Sequence, residues 1–168
     1  MKKRLFLPLM ICLASVQLVL AQTTDEATRI AELDAYWTEL SRTVREGDFE
    51  GYAATYHPDA VVIFATGANK TSTPVSGALA GWKQGFIDTK AGKNKSDVEF
   101  RFSQRIGDAT SAHETGIFIY ISNPSNGGQN TRVAVHFEML LVKKDGKWLG
   151  VMEYQKHEAS QEEWDALK

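Results

Sequence analysis

In the run GDFEGYAATYHPDAVVIFATG, Gly47 to Gly67, the hydrophobic period changes at Pro58. Before it, apolar residues recur at spacings of three and four, the helical repeat. Ile30, Leu33, Trp37, Leu40 and Val44 make a single stripe on a helix expected over Thr24–Glu46, with Thr23 and Glu26 as its capping box. Gly47 ends that helix because it tolerates positive φ. Asp48 caps a short second helix whose Phe49, Tyr52, Ala53 and Tyr56 share a face. Pro58 stops it, lacking an amide hydrogen and clashing with the preceding turn. Beyond it Val61–Ala65 is a β-branched strand.

The remainder keeps mostly to the strand period. A polar loop, Thr66 to Val75, leads into a third helix capped by Ser76 and running to about Lys90, with Leu79, Trp82 and Phe86 as its stripe. Gly77, Gly81 and Gly85 form a row on this helix, each costing about 1 kcal/mol against alanine. The row is read first as close backbone approach to a neighbouring strand, and second as room left for a ligand. Val98, Phe100 and Phe102 alternate with polar residues; Ser111–Ile121, Arg132–Lys143 and Trp148–His157 are further strands. Asp145-Gly146 forms a two-residue hairpin turn. The polar tail carries Trp164 and Leu167, a turn or two of helix docked at an edge. With no repeat and no linker, this is a single α+β domain: helices packed on a curved, mostly antiparallel sheet.

The first 21 residues read as a leader: a basic start at Lys2, Lys3 and Arg4, an apolar Leu5–Leu20, and a cut before Gln22. Export to a bacterial periplasm or the medium is therefore expected. Cleavage leaves 147 residues without a cysteine, so packing must hold the domain. It also leaves 16 basic residues against 21 acidic ones, a formal charge of −5 with no basic stripe, which argues against nucleic acid. No membrane contact is expected after cleavage.

Register in the last hairpin was derived from the Asp-Gly turn. It sets His136 against Tyr154, Glu138 against Met152 and Val142 against Trp148, with Phe137, Met139, Leu141, Leu149 and Val151 on the opposite face. Both faces carry apolar groups, so one packs on the helices and the other is expected to pair with a second copy, giving a homodimer. His136, Glu138 and Tyr154 then share one wall as candidate catalytic acid, base and oxyanion donor. The alternatives for this trio are a hydrogen-bonded register lock or a dimer interface. No metal site is expected: His113-Glu114, His136-x-Glu138 and His157-Glu158 lack helical i,i+4 spacing. Which of His113 and Glu114 points inward is open, and no cofactor is implied.

The order of elements, with Gly47-Asp48, Pro58-Asp59-Ala60 and Lys144-Asp145-Gly146-Lys147-Trp148 at its joints, resembles the nuclear transport factor 2-like superfamily from Thr24 to His157. It is most similar to the SnoaL-like and calcium/calmodulin-dependent kinase association-domain-like branches. The resemblance implies a cone-shaped, cystatin-like fold in which helices close a bent sheet over an apolar cavity. It implies a pocket lined by Trp37, Tyr56, Phe64, Trp82, His136, Glu138, Met152 and Tyr154. The steroid isomerase branch needs a tyrosine, a base and a second acid at positions that fall on Leu40, Phe64 and near His136. The first two are apolar, so that chemistry is not expected. The superfamily leaves three functions open: binding of a small apolar or amphipathic molecule, proton transfer by an isomerase, dehydratase or cyclase, or a structural dimerisation domain.

Overall fold

A computed structural model describes residues 8–167, with side chains from residue 25 onward. The first seven residues of the expected leader lie outside those described, and Thr23, expected to cap a helix, lies within one that begins earlier. Helix α1, Pro8–Glu46, includes the helix expected from Thr24. Its stripe is buried at Leu33, Trp37, Leu40 and Val44, joined by Tyr36. At Gly47 the chain takes φ +67°, and a Cβ there would meet backbone of Phe86 and Lys90 at 2.5 and 2.4 Å. Only glycine lets the end of α1 lie so close to the third helix.

Helix α2, Phe49–Ala53, is capped by Asp48, whose Oδ1 accepts from the Gly51 amide at 3.0 Å. It is shorter than the sequence suggests. Tyr56 already belongs to strand β1, Tyr56–Phe64, and Pro58 sits where pairing is interrupted between Tyr56 and Val61. Proline is tolerated there because the interruption requires no ladder hydrogen bond from it. The expected polar loop contains a short edge strand, β2, Thr71–Pro74, antiparallel to β1. Helix α3, Val75–Lys90, follows with Pro74 as its N-cap and no side-chain cap, so Ser76 lies inside the helix.

Four long strands complete the sheet: β3, Asn94–Gly107; β4, Ser111–Pro124; β5, Thr131–Lys144; and β6, Lys147–Glu158. The order is β2-β1-β6-β5-β4-β3, antiparallel except where β1 lies parallel to β6. Asp145 and Gly146 take φ +51° and +77°, as a type I′ turn requires. Gly116 on β4 marks a second close approach. A Cβ there would lie 2.0 Å from the Arg101 carbonyl oxygen, beside the irregularity between Phe102 and Gln104.

The main core fills the concave side, between α1, α3 and the sheet. A smaller apolar cluster lies on the convex side. There Ile117, Ile119 and Ala134 are covered by Trp164 of α4, Gln161–Ala166. The tail thus docks on a face and not at an edge. Arg101 holds it, stacking on the Trp164 ring at 4.3 Å and donating to the carbonyls of Trp164 and Leu167 at 2.8 and 2.9 Å.

Candidate functional site: an aromatic cavity with a buried carboxyl

The concave side encloses a cavity of about 460 Å³. Strand β5 supplies its floor through Val133, Val135, Phe137 and Met139. Trp37 from α1, Tyr52 from α2, Tyr56 from β1 and Trp82 from α3 add aromatic walls. The glycine row contributes directly. Gly81 and Gly85 line the cavity, and a Cβ on either would meet nothing within 4 Å. Close backbone approach, the first reading of the row, is therefore wrong for these two; they leave room. Gly77 alone is crowded, with Thr73 Oγ1 2.7 Å from its hypothetical Cβ.

Two acids line this space, Glu158 exposed and Glu153 buried. Glu153 is 9% exposed and lines the cavity. Tyr56 donates to Glu153 Oε2, Gln155 Nε2 donates to Oε1 at 2.7 Å, and Tyr52 and Tyr56 hydroxyls lie 3.2 Å apart. Burial pushes the carboxyl up from its ordinary value, against the opposing pull of the Tyr56 and Gln155 hydrogen bonds. Burial first, then the nearby Glu153 carboxyl, raises the Tyr56 phenol. Another acid braces the wall from behind. Glu114, fully buried, accepts from Trp37 Nε1 at 2.5 Å and from Arg105 Nε and Nη2 at 2.7 and 3.1 Å. Of the pair His113-Glu114, the carboxylate points inward.

His136 and Glu138 do share a face, but it is the outer one, and the expected catalytic wall is not formed. Phe137 and Met139, their neighbours on β5, take the cavity side. His136 Nε2 lies 3.2 Å from Glu163 Oε1 of α4, and its ring lies 4.4 Å from that of His157. Glu138 accepts from Lys156 Nζ at 2.7 Å and has His113 Nε2 at 3.3 Å. Lys156 foremost, then the hydrogen bond and charge of His113, holds this carboxyl below its usual range. Tyr154 faces Glu138, not His136, and Met152 faces Leu140, so neither lines the cavity. Of the other expected lining residues, Trp37, Tyr56 and Trp82 line it, whereas Phe64 sits behind Trp82, ring centroids 5.9 Å apart.

The register explains the difference. The Asp-Gly turn joins Lys144 directly to Lys147, so Val142 faces Leu149 and Trp148 faces Lys143. Two irregularities follow, between Leu140 and Leu141 and between His136 and Phe137, and each gives β6 an extra residue. Trp148 therefore points to the helix side, where its Nε1 donates to Glu32 at 2.9 Å, yet Glu153 and Gln155 further along point there too. One sign of the true face was available in the sequence. Phe137, Met139 and Leu141 form the denser apolar row, and β6 residues of the same parity include a lone acid, Glu153.

Helices closing a curled sheet over an aromatic cavity define the nuclear transport factor 2-like fold, and the chain adopts it. A protein of that name from Shewanella oneidensis superposes with a TM-score of 0.55 at 13% identity, over 76% of this chain and 98% of that one. A ketosteroid isomerase-like protein from Erwinia carotovora gives 0.54 at 17% identity, over 77% and 95%. A calcium/calmodulin-dependent protein kinase II association-domain-like protein from Xanthomonas campestris gives 0.56 at 18%, over 75% and 85%. By sequence, no family model and no curated protein matches the chain.

Proposed function

We propose that this protein holds a small, mainly apolar molecule in its cone. The observation that carries this reading is the aromatic cavity itself, on whose open side stand Gly81 and Gly85, both exposed. Each costs a helix interior about 1 kcal/mol, and neither makes a close contact that would require a glycine. What they provide is space beside the aromatic walls. A cavity of about 460 Å³ is within the range that admits drug-sized molecules.

Gly85→Leu tests the reading, since its side chain would project into the space. Binding of the neutral dye Nile red should fall at least tenfold while the unfolding midpoint holds or rises. Unchanged binding would remove the cavity as the site. Native mass spectrometry of protein purified from its own source should also find a co-purifying molecule, absent from the variant.

Glu153 favours a second reading. A carboxyl whose pKa is raised by burial and which accepts from Tyr56 is able to give or take a proton in isomerase, dehydratase or cyclase chemistry. In that case Glu153→Gln abolishes turnover while affinity persists. The proposal includes export, for which the mature protein should begin at Gln22 on N-terminal sequencing. It also includes pairing of two copies across the outer face.

A further inference from the structure

We infer that the cavity selects uncharged, elongated molecules with an apolar body and a hydrogen-bonding group at each end, one end donating to Glu153 and the other meeting the Ser96–Thr89–Tyr120 hydroxyls. This rests on the cavity being the binding site and adds what the site discriminates. Apart from the exposed Thr66 and Glu158, the polar side chains that line the cavity fall into two groups. At the Glu153 pole, each carboxyl oxygen accepts one hydrogen bond from the protein, from Tyr56 or Gln155. With only these two protein donors on it, the carboxyl keeps acceptor capacity for a ligand hydroxyl.

The other pole lies on different elements and carries no ionisable acid. Ser96 Oγ of β3 is 2.9 Å from Thr89 Oγ1 of α3 and 3.4 Å from the Tyr120 hydroxyl of β4. Asn94 stands behind them. Its Nδ2 donates to Ser96 and Ser122 at 2.9 and 2.8 Å, while its buried Oδ1 has no hydrogen-bond partner among the described residues. Ser96 is itself buried, at 7% exposure. Ser96 Oγ is already met by Thr89, Asn94 and Tyr120, whereas the half-buried Thr89 and Tyr120 hydroxyls keep capacity for a ligand group.

Topology keeps the poles apart. Strand β5 runs between β6 and β4 and shows the cavity only Val133, Val135, Phe137 and Met139. Two strand spacings separate β6 from β4, about 10 Å along the sheet. Glu153 faces Met139 on β5 and Tyr120 faces Val133, so the poles are also staggered along the strands. A ligand touching both must cross the apolar floor. Charge is selected against at each end. No Lys, Arg or His is among the lining residues to pair a carboxylate, and within the buried part of the wall an ammonium would need Glu153 to ionise, the other lining acid, Glu158, being exposed to water.

Five matched probes test this: trans-stilbene, 4-hydroxystilbene, 4,4′-dihydroxystilbene, stilbene-4-carboxylate and 4-(aminomethyl)stilbene, titrated against the tryptophan fluorescence of the purified protein. Each hydroxyl should tighten binding about three- to tenfold, so the diol binds best. The carboxylate and the ammonium should each bind at least tenfold more weakly than the diol. Tyr120→Phe should bring the diol down to the affinity of the mono-ol and leave stilbene unchanged. Glu153→Met should do the same from the other end, with unfolding midpoints checking that both variants fold. Stilbene binding as tightly as the diol, a charged probe binding best, or Tyr120→Phe weakening every probe equally would each overturn the two-pole reading while leaving an apolar binding cavity. Binding of none of the five, with Nile red also excluded, would overturn both.

Discussion

Glu153 is the residue on which the chemistry of the cavity turns. Its neutral form is favoured in the fold, so its pKa lies above the ordinary value of 4.5. A raised carboxyl contributes stability fully below the unfolded pKa and loses it as pH rises through the folded one. Urea midpoints measured from about pH 4 to about pH 9 should therefore fall for the wild type relative to Glu153→Gln, with the gap opening above about pH 4.5. A constant gap would mean that the carboxyl is not desolvated. Gly116 sets a steric limit of a different kind. Because its neighbour is a backbone oxygen at 2.0 Å, Gly116→Ala should cost about 3 kcal/mol in chemical denaturation, the upper part of the range for overpacking. A loss near zero would place the β3–β4 contact elsewhere. Both residues stand in the sequence as an ordinary Glu and Gly. Only a partner strand and its register show that one is desolvated and the other crowded.

At the scale of elements, α4 is the part whose role was least visible. Its capping box, Ser160 with Glu163, is a local pattern, but its docking depends on Arg101 and on the convex Ile117–Ile119 patch. The Ser160 amide, the Ser160 hydroxyl and then His136 hold the Glu163 carboxyl down at about 2. A depressed carboxyl contributes stability above its unfolded pKa and loses it as pH falls through the folded one. Between about pH 4.5 and about 2, α4 should loosen before the sheet does. Trp164, 4% exposed, should then red-shift in fluorescence while far-ultraviolet dichroism of the sheet persists. Simultaneous loss of both signals would mean that α4 unfolds only with the whole domain. Helices α1 and α3 and the four long strands were legible because each carries a local apolar period or an apolar run of its own. Strand β2 was not, since four polar edge residues show no alternation that buries anything.

For the molecule as a whole, a pairing surface is narrower than the sequence pattern suggests, because α4 already covers part of the convex face. Leu140, 39% exposed beside the His113–Glu138–Lys156 cluster, lies in what remains. If two copies pair sheet to sheet, Leu140→Glu should shift sedimentation from dimer to monomer without lowering the unfolding midpoint by more than about 0.5 kcal/mol. An unchanged sedimentation coefficient would take Leu140 out of the interface. The sequence alone determined the α+β class, the order of the major helices and strands, and the Gly47 and Asp145-Gly146 joints. Those features follow from local periodicity and backbone freedom, which need no knowledge of neighbours. The identity of the buried acid was decided only in three dimensions. One extra residue on β6, between Gly150 and Met152, reverses which side chains face inward at Glu153, and a bulge of that kind arises from how a bent sheet closes on its helices.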